Sequence, residues 1–228
     1  ETHTVYGVLI SLLILLILFD RQLPDLGLFF PGMALLLLAT MFWSLFHFGR
    51  DGANAFLGYA LTVSMGLYLG WLGAYFISLR AMPDGTFIIL MLIVAVAATD
   101  TGAYLVGKQF GRTPFMPIVS PRKTWEGYAG GIVSSTVLTS AFILLWRALG
   151  ATSPLVTPIH GLMIGLLVSI IGPFGDLSMS MVKRYAHAKD AGDLIPGHGG
   201  LLDRFDTMLV AGVVAYYYLI VVTALLPA

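Results

Sequence analysis

The sequence predicts an all-α, polytopic transmembrane helical bundle, and composition, hydropathy and patterning all indicate it. Hydrophobic residues make up 58% of the 228 residues and charged residues 11%, whereas soluble domains contain roughly 25% charged residues. The mean hydropathy is +0.90. The apolar residues also form runs of spanning length, which for a helix is about 20 residues. We therefore expect an integral membrane protein.

About seven apolar runs are predicted to be spans, separated by short polar breaks. They lie near residues 4–19, 27–48, 53–79, 86–107, 127–149, 159–182 and 207–226. A cleaved signal peptide is the competing interpretation of the short first run, but that run lacks a basic n-region and a small-residue cleavage site. In the third span, the glycines of segment 66–73 are interpreted as a packing surface, because small residues let membrane helices approach closely.

The chain is divided here into N-terminal transmembrane helices, residues 1–97, and a catalytic transmembrane region, residues 98–228, with polar loops at 108–126 and 183–206. Alternating the spans puts nine of the twelve lysines and arginines on one side, together with both loops. These nine are Arg50, Lys108, Arg112, Arg122, Lys123, Lys183, Arg184, Lys189 and Arg204. The other side has Arg21, Arg80 and Arg147. The positive-inside rule makes the first side cytoplasmic, so the two loops can build one site.

The net charge and the cysteine content exclude several classes of function and of metal site. The formal net charge is zero, and no basic tail or basic groove with interleaved aromatic residues occurs, so we do not expect nucleic-acid binding. The sequence contains no cysteine, which excludes a disulfide scaffold and thiolate metal sites. Any metal must be held by oxygen or imidazole ligands.

The first polar loop lies in the segment DTGAYLVGKQFGRTPFMPIVSPRKTWEG, residues 100–127. Its prolines and glycines prevent one continuous helix, so that its cations can converge; equally, each cation could simply mark the cytoplasmic side. The SPRKTWEG part is more specific, because it ends where a helix is predicted to begin, at Thr124 or Trp125. Amides and hydroxyls at a helix start can bind an anion. The substrate-binding candidates here are Ser120, Arg122, Lys123 and Thr124.

Asp100 and Asp176 lie just inside the cytoplasmic ends of the fourth and sixth spans. An ionised carboxylate there is costly unless it is paired, hydrated or bound to a metal. Asp176, Ser180 and Lys183 share one helical stripe because they are four and three residues apart. This stripe can hold a cation and a phosphate side by side.

Tyr104 and Lys108 follow Asp100 at intervals of four residues, so these three also share a helix face. A buried pair with a lysine or arginine of a neighbouring helix is the structural alternative for Asp100. A transporter or channel is the non-enzyme alternative, since Asp100 and Asp176 could mark an ion path. Against it, the polar residues gather on one side of the membrane, and no inverted repeat is visible.

Asp203 and Asp206 lie three residues apart at the predicted start of the last helix, after a GHGG turn. The helix dipole favours carboxylates there, and capping alone accounts for Asp206. A glycine turn that exposes amides beside two carboxylates also suits a metal with its phosphates. His198 is either a metal ligand or a hydrogen-bond donor to phosphate, and we favour the donor role.

The segment SMVKRYAHAKDAGDLIPGHGGLLDRFD, residues 180–206, resembles the signature of the CDP-diacylglycerol synthase family, also called phosphatidate cytidylyltransferase. The matching positions are Ser180, Lys183, Arg184, Lys189, Asp190, Pro196, His198, Gly199, Gly200, Asp203, Arg204 and Asp206. The upstream DTGAYLVGKQFGR and SPRKTWEG segments also resemble that family, so the resemblance covers roughly residues 98–208. Family members carry additional N-terminal helices, and the sequence leaves open whether such helices are missing here.

The resemblance implies that phosphatidic acid and CTP give CDP-diacylglycerol and pyrophosphate, with Mg²⁺ required; a second cation is left open. Asp176 and Asp203 are the first choice as metal ligands, and Asp206 and Asp190 the second. The cations expected to hold the triphosphate and the lipid phosphate are Lys123, Lys183, Arg184, Lys189 and Arg204. The full catalytic set is expected to be Lys183, Arg184, Lys189, Asp190, His198 and Arg204. Further substrate contacts are expected from Asp100, Tyr104, Ser180, Gly199 and Gly200.

The resemblance also implies a homodimer in the bacterial inner (plasma) membrane, with the active site facing the cytoplasm. Nothing in the chain identifies a cytosine-reading pocket, so the expectation of CTP rests on the resemblance alone. A CTP- or ATP-dependent lipid kinase of the polyprenol type is the alternative enzyme. It would transfer a γ-phosphoryl group to an alcohol, which requires a poised base.

Overall fold

The computed structural model describes residues 2–22, 27, 29–150, 157–186 and 202–225. In these ranges six helices are long and apolar enough to cross a membrane, and a shorter apolar helix covers Val5–Asp20. Each predicted run coincides with one of these helices, which confirms the all-α polytopic fold class. The chain forms two compact units, Glu1–Ser78 and Leu79–Ala228.

The first unit is a group of packed helices. Its elements are α1 (Thr2–Gln22), α2 (Phe29–Asp51), α3 (Ala53–Gly66), a π-helical turn (Leu67–Trp71) and the beginning of α4 (Leu72–Ala81). Gly66 and Gly70 lie against Leu13 and Ile17 of α1, and a Cβ atom on Gly70 would lie 2.8 Å from Cδ1 of Ile17. The predicted packing role of the glycines in segment 66–73 is confirmed at these two positions.

The second unit contains the segments that resemble the family signature. Its elements are α5 (Gly85–Phe110), β1 (Pro114–Met116), β2 (Ser120–Thr124), α6 (Trp125–Ala148), α7 (Pro158–Ile171), α8 (Pro173–Tyr185) and α9 (Leu202–Leu225). Helices α5 and α6 are closely packed, because the hydroxyls of Ser134 and Ser135 donate to the carbonyls of Ala98 and Ala95 at 2.7 and 2.9 Å. The packed pair α5 and α6 fixes both ends of the segment that joins them, residues 111–124.

That joining segment, predicted only as an irregular loop, contains a short antiparallel hairpin. Pro114 is opposite Thr124 and Met116 is opposite Ser120 in the register of β1 and β2. The backbone N–H of Trp125 donates to the carbonyl of Thr113 at 3.0 Å. The hairpin is a small exception to the all-α class, and it fixes the direction in which its side chains point.

The sixth span, Pro158–Tyr185, is interrupted at one residue, because Gly172, whose backbone stays in the helical region, separates α7 from α8. Pro173 lacks a backbone N–H and cannot continue the hydrogen-bond ladder. Two carbonyls near the break accept bonds from side chains: Tyr128 Oη donates to Ile170 at 2.7 Å, and Lys123 Nζ donates to Pro173 at 3.4 Å. These two hydrogen bonds connect the region of the break to α6 and to the hairpin. Because α8 begins at Pro173, Asp176 lies in its first turn.

Candidate functional site

A cavity of about 500 Å³ opens where α5, the hairpin, α6 and α8 meet. Its charged and aromatic lining residues are Asp100, Tyr104, Lys108, Phe115, Arg122, Lys123, Tyr128 and Asp176. Most ligand pockets are lined chiefly by apolar groups with a few polar ones. This cavity is also lined chiefly by apolar groups, and its three cations and two carboxylates are polar groups that suit a ligand with several negative charges together with a divalent cation.

An ion pair between Lys123 and Asp176 lies in this cavity. Lys123 Nζ is 2.6 Å from Asp176 Oδ2, and the two side chains are 28% and 36% exposed. Ser180 Oγ donates to the other carboxylate oxygen, Oδ1, at 3.3 Å. The structure thereby brings together a cation of the first polar loop and the predicted stripe of α8.

The predicted face of α5 also lines the cavity. Lys108 Nζ lies 5.7 Å from the centre of the Tyr104 ring, within the range of a cation–π contact. Asp100 is exposed, and the described part of the chain contains no ion-pair partner for it, since Lys123 pairs with Asp176. In these residues Asp100 is therefore a carboxylate at a cavity wall and not half of a buried pair.

Helix α6 begins at Trp125, as the sequence predicts, and its first turn holds the hairpin in place. Thr124 Oγ1 accepts from the backbone N–H of Gly127 at 3.1 Å, so this predicted substrate contact acts as the helix cap. The Glu126 carboxylate accepts from the backbone N–H groups of Arg112 and Thr113 at 3.1 and 3.2 Å, and from Thr113 Oγ1 at 2.8 Å. These contacts close the base of the hairpin, whose second strand carries two of the three cavity cations, Arg122 and Lys123.

Aromatic side chains form one wall beside these charges. The Phe115 ring packs edge-on against Trp125 at 4.5 Å and stacks on Tyr128 at 5.0 Å, with Phe174 at 6.1 Å. These aromatic residues and Glu126 are not among the site residues predicted from the sequence. The one available signal was a glutamate two positions after a threonine at a predicted helix start.

The start of α9 approaches α8 next to Asp176. A Cβ atom on Gly175 would lie 2.5 Å from the carbonyl oxygen of Asp206. Asp206 is buried, its Oδ1 accepts from the N–H of Thr207 at 2.6 Å, and both it and Asp100 are near enough to Asp176 for mutual repulsion. In the described ranges, no three carboxylate or histidine side chains are grouped closely enough to hold a metal ion.

Other predicted site residues lie elsewhere or outside the description. Ser120 is partly buried on β2 and does not line the cavity, whereas Lys183 and Arg184 lie in the last turn of α8. The backbone of Asp203 and Arg204 begins α9, but their side chains are outside the described part. The predicted residues wholly outside it are Lys189, Asp190, His198, Gly199 and Gly200.

Comparison with known proteins identifies the family of this chain. The cytidylyltransferase family matches residues 2–222. The chain belongs to this family. The resemblance inferred from segment 180–206 is thereby confirmed.

Three relatives illustrate this membership. The chain is 42% identical to phosphatidate cytidylyltransferase of Bacillus subtilis (strain 168) over 154 residues, which cover 67% of this chain and 55% of that protein. It is 35% identical to phosphatidate cytidylyltransferase of Mycobacterium bovis over 209 residues, 86% of this chain and 64% of the relative. It is 46% identical to phosphatidate cytidylyltransferase 5, chloroplastic, of Arabidopsis thaliana over 134 residues, which cover 59% of this chain and 32% of that protein. The chain spans less than two thirds of the length of these relatives.

Proposed function

We propose that this integral membrane protein transfers the cytidylyl group of CTP to phosphatidic acid, giving CDP-diacylglycerol and pyrophosphate. The observation that carries the proposal is the cavity that combines the Lys123–Asp176 ion pair with Lys108, Arg122 and Asp100. The names of the relatives, phosphatidate cytidylyltransferases, support this choice of substrates.

The chemistry requires charge stabilisation more than a strong base. A phosphate oxygen of phosphatidic acid attacks the α-phosphorus of CTP, the new P–O bond forms, and the bond to pyrophosphate breaks. A phosphomonoester has a second pKa of about 6, so it is largely dianionic near neutral pH and needs little deprotonation. Lys108, Arg122 and Lys123 are suited to hold phosphate oxygens in line and to offset the charge on pyrophosphate.

The carboxylates of the site fit Mg²⁺, which prefers oxygen ligands and is commonly held by one or two carboxylates together with substrate phosphates. We propose Asp176 and Asp203 as its protein ligands, with Asp206 and Asp190 as the second choice. The close contact of α8 and α9 at Gly175 supports Asp176 and the start of α9 acting together. When bound, Mg²⁺ would neutralise charge on the triphosphate.

The location of the cavity suits one water-soluble and one lipid substrate. Its lining residues come from the ends of membrane helices and the segment between them, so CTP can arrive from water and the acyl chains can remain in the bilayer. We propose that this side faces the cytoplasm of a bacterial inner membrane; homodimerisation stays a prediction of the resemblance. The chain lacks cysteine, so single-cysteine labelling at position 112 in sealed vesicles would test the orientation.

A radiolabel experiment tests the proposed reaction. The purified protein is incubated in detergent with phosphatidic acid, Mg²⁺ and CTP labelled at either the α- or the γ-phosphorus, beside the variants Asp203→Asn and Asp84→Asn. Asp84 lies at the start of α5 with φ 58°, a backbone conformation that asparagine also tolerates, so Asp84→Asn is a matched control.

We expect lipid labelling only from α-labelled CTP, lost in Asp203→Asn and retained in Asp84→Asn. Transfer of γ-label into lipid would contradict the proposal in favour of a lipid kinase. No transfer of either label by a folded sample would also contradict it for this chain.

A further inference from the structure

The tip of the hairpin exposes apolar side chains. Met116 is 40% exposed and Ile118 92% exposed, and Pro117 between them is also exposed. Turns that face water are dominated by glycine, asparagine, aspartate, serine and proline, whose backbone preferences and polar groups suit them to a turn. The composition of residues 116–118, here called the hairpin tip, therefore differs from that of an ordinary aqueous loop.

The hairpin tip lies near the depth at which α6 begins. Phe115, directly before it, contacts Trp125 and Tyr128 in the first turns of α6, and Phe174 of α8. All three partners belong to helical segments that are apolar enough to cross a membrane. An extended chain spans about 3.3 Å per residue. The three residues of the tip therefore lie within about 10 Å of Phe115.

Side chains around the hairpin tip have the composition of a membrane interface. Arg112 and Arg122 are exposed on either side of it along the chain, and Trp125 and Phe110, at the adjoining helix ends, are 51% and 63% exposed. Tryptophan is enriched at the boundary between lipid and water. Arginine binds phosphate oxygens through two parallel hydrogen bonds, and clusters of basic residues attract anionic lipids.

We propose that the hairpin tip inserts into the headgroup boundary of the leaflet beside the cavity, and that Arg112, which is exposed and does not line the cavity, binds anionic lipid headgroups there. The bilayer is the favoured occupant because the segment joins two spanning helices and carries positive charge on both sides of an apolar tip. Anchoring the tip would hold β2, and with it Lys123, at headgroup level. This inference concerns membrane insertion and does not depend on the proposed reaction.

The absence of cysteine from the chain allows a direct test by fluorescence quenching. Ile118→Cys in the full chain is labelled with an environment-sensitive dye and reconstituted into vesicles with and without phosphatidylglycerol. Quenching by brominated acyl chains reports contact with lipid, and quenching by iodide reports contact with water. Val133→Cys on α6, where the native side chain is 64% exposed, is the lipid-facing reference, and free dye–cysteine conjugate is the aqueous reference.

We expect the dye at position 118 to be quenched by brominated lipid, although less strongly than the dye at position 133, which lies about 12 Å along α6 from Trp125. We also expect iodide to quench it several-fold less than the free conjugate. Strong iodide quenching without lipid quenching would overturn the proposal. Protection from both quenchers would also overturn it, because the tip would then be covered by protein, such as segment 187–201 or a second copy. If Ile118→Cys fails to fold, Pro117→Cys serves the same purpose.

A separate measurement tests the role of Arg112. Phosphatidylglycerol should increase lipid quenching at position 118, and Arg112→Gln in the same labelled background should remove at least half of that increase. Quenching that is independent of anionic lipid, or unchanged by Arg112→Gln, would overturn the assignment of headgroup contacts to Arg112.

Discussion

The ion pair between Lys123 and Asp176 should make a measurable contribution to stability, which a double-mutant cycle of Lys123→Met and Asp176→Asn can isolate. Its atoms are 2.6 Å apart, and the side chains are 28% and 36% exposed. Exposed pairs contribute about 0.2–1 kcal/mol, whereas removing one partner of a buried pair costs about 3–5 kcal/mol. Partial burial places the expected coupling energy between these values, at about 1–2 kcal/mol.

The two single variants should not be equally destabilised. Lys123→Met leaves Asp176 without its cation while Asp100 and Asp206 still repel it. Asp176→Asn removes the carboxylate that both of them repel. We therefore expect Lys123→Met to be the more destabilising change.

Thermal unfolding of the purified protein in detergent, without CTP or Mg²⁺, measures these effects. For 150–250 residues, 1 kcal/mol changes Tm by roughly 2–4 °C, so the coupling should correspond to about 2–8 °C. The matched control is the cycle Arg50→Met and Asp51→Asn, because that pair, at 3.0 Å, includes an arginine side chain that is 61% exposed. A coupling energy below about 0.3 kcal/mol for Lys123–Asp176 would refute the reasoning, because it lies within the range of ordinary additivity error. A larger decrease in Tm for Asp176→Asn than for Lys123→Met would refute it as well.

Three further results are expected. Gly165→Ala should destabilise the protein by about 1–3 kcal/mol through overpacking, because its Cβ would lie 2.7 Å from the carbonyl oxygen of Ser135; Gly7→Ala, with nothing within 4 Å, should not lower Tm. Glu126→Gln should raise KM for CTP more than it lowers kcat, since Glu126 holds the hairpin that carries Lys123; steady-state kinetics would contradict this if kcat alone fell. Chelation by EDTA should abolish cytidylyl transfer, and added Mg²⁺ should restore it; persistence of transfer in EDTA would count against the proposed metal.

The spans could be predicted from hydropathy because a membrane helix must satisfy its backbone internally over a fixed length. The break at Gly172 could not, because residues 159–182 have the length and hydropathy of one span. Proline is tolerated inside membrane helices when neighbouring groups satisfy the freed carbonyls. Here Tyr128 and Lys123 come from other elements and donate to the carbonyls of Ile170 and Pro173, on either side of the break. Gly172 and Pro173 are themselves a local signal for an interrupted helix, but the hydropathy of the apolar run does not register it.

Site residues could be predicted both on the helices and in the first polar loop, where Arg122, Lys123 and Thr124 line the cavity as expected, but the partner of each residue could not. Intervals of four residues predicted the face of Asp100 and Tyr104, which both line the cavity. The partner of Asp176 depends on the hairpin, since successive side chains of a strand point to opposite faces. The role of Glu126 depends on amides 13 and 14 residues before it. Contacts of this kind follow from the tertiary arrangement and not from sequence spacing.

The Lys123–Asp176 pair implies a competition between two cations for one carboxylate. In the structure Lys123 supplies the positive charge next to Asp176, in the position that we propose for Mg²⁺. If Mg²⁺ binds Asp176, Lys123 becomes available to a phosphate oxygen. Removing the lysine should therefore strengthen the binding of Mg²⁺ alone, although it weakens the binding of CTP.

Titration of Mg²⁺ against Tm tests this competition without measuring catalysis. A ligand that binds only the folded state stabilises it by RT ln(1 + [L]/Kd), so a lower Kd gives a larger rise in Tm at the same Mg²⁺ concentration. We expect the rise to be larger in Lys123→Met than in the unmodified protein, and absent in Asp176→Asn. An equal or smaller rise in Lys123→Met would mean that the lysine does not occupy the position of the metal, and that Asp176 is an ion-pair partner and not a metal ligand.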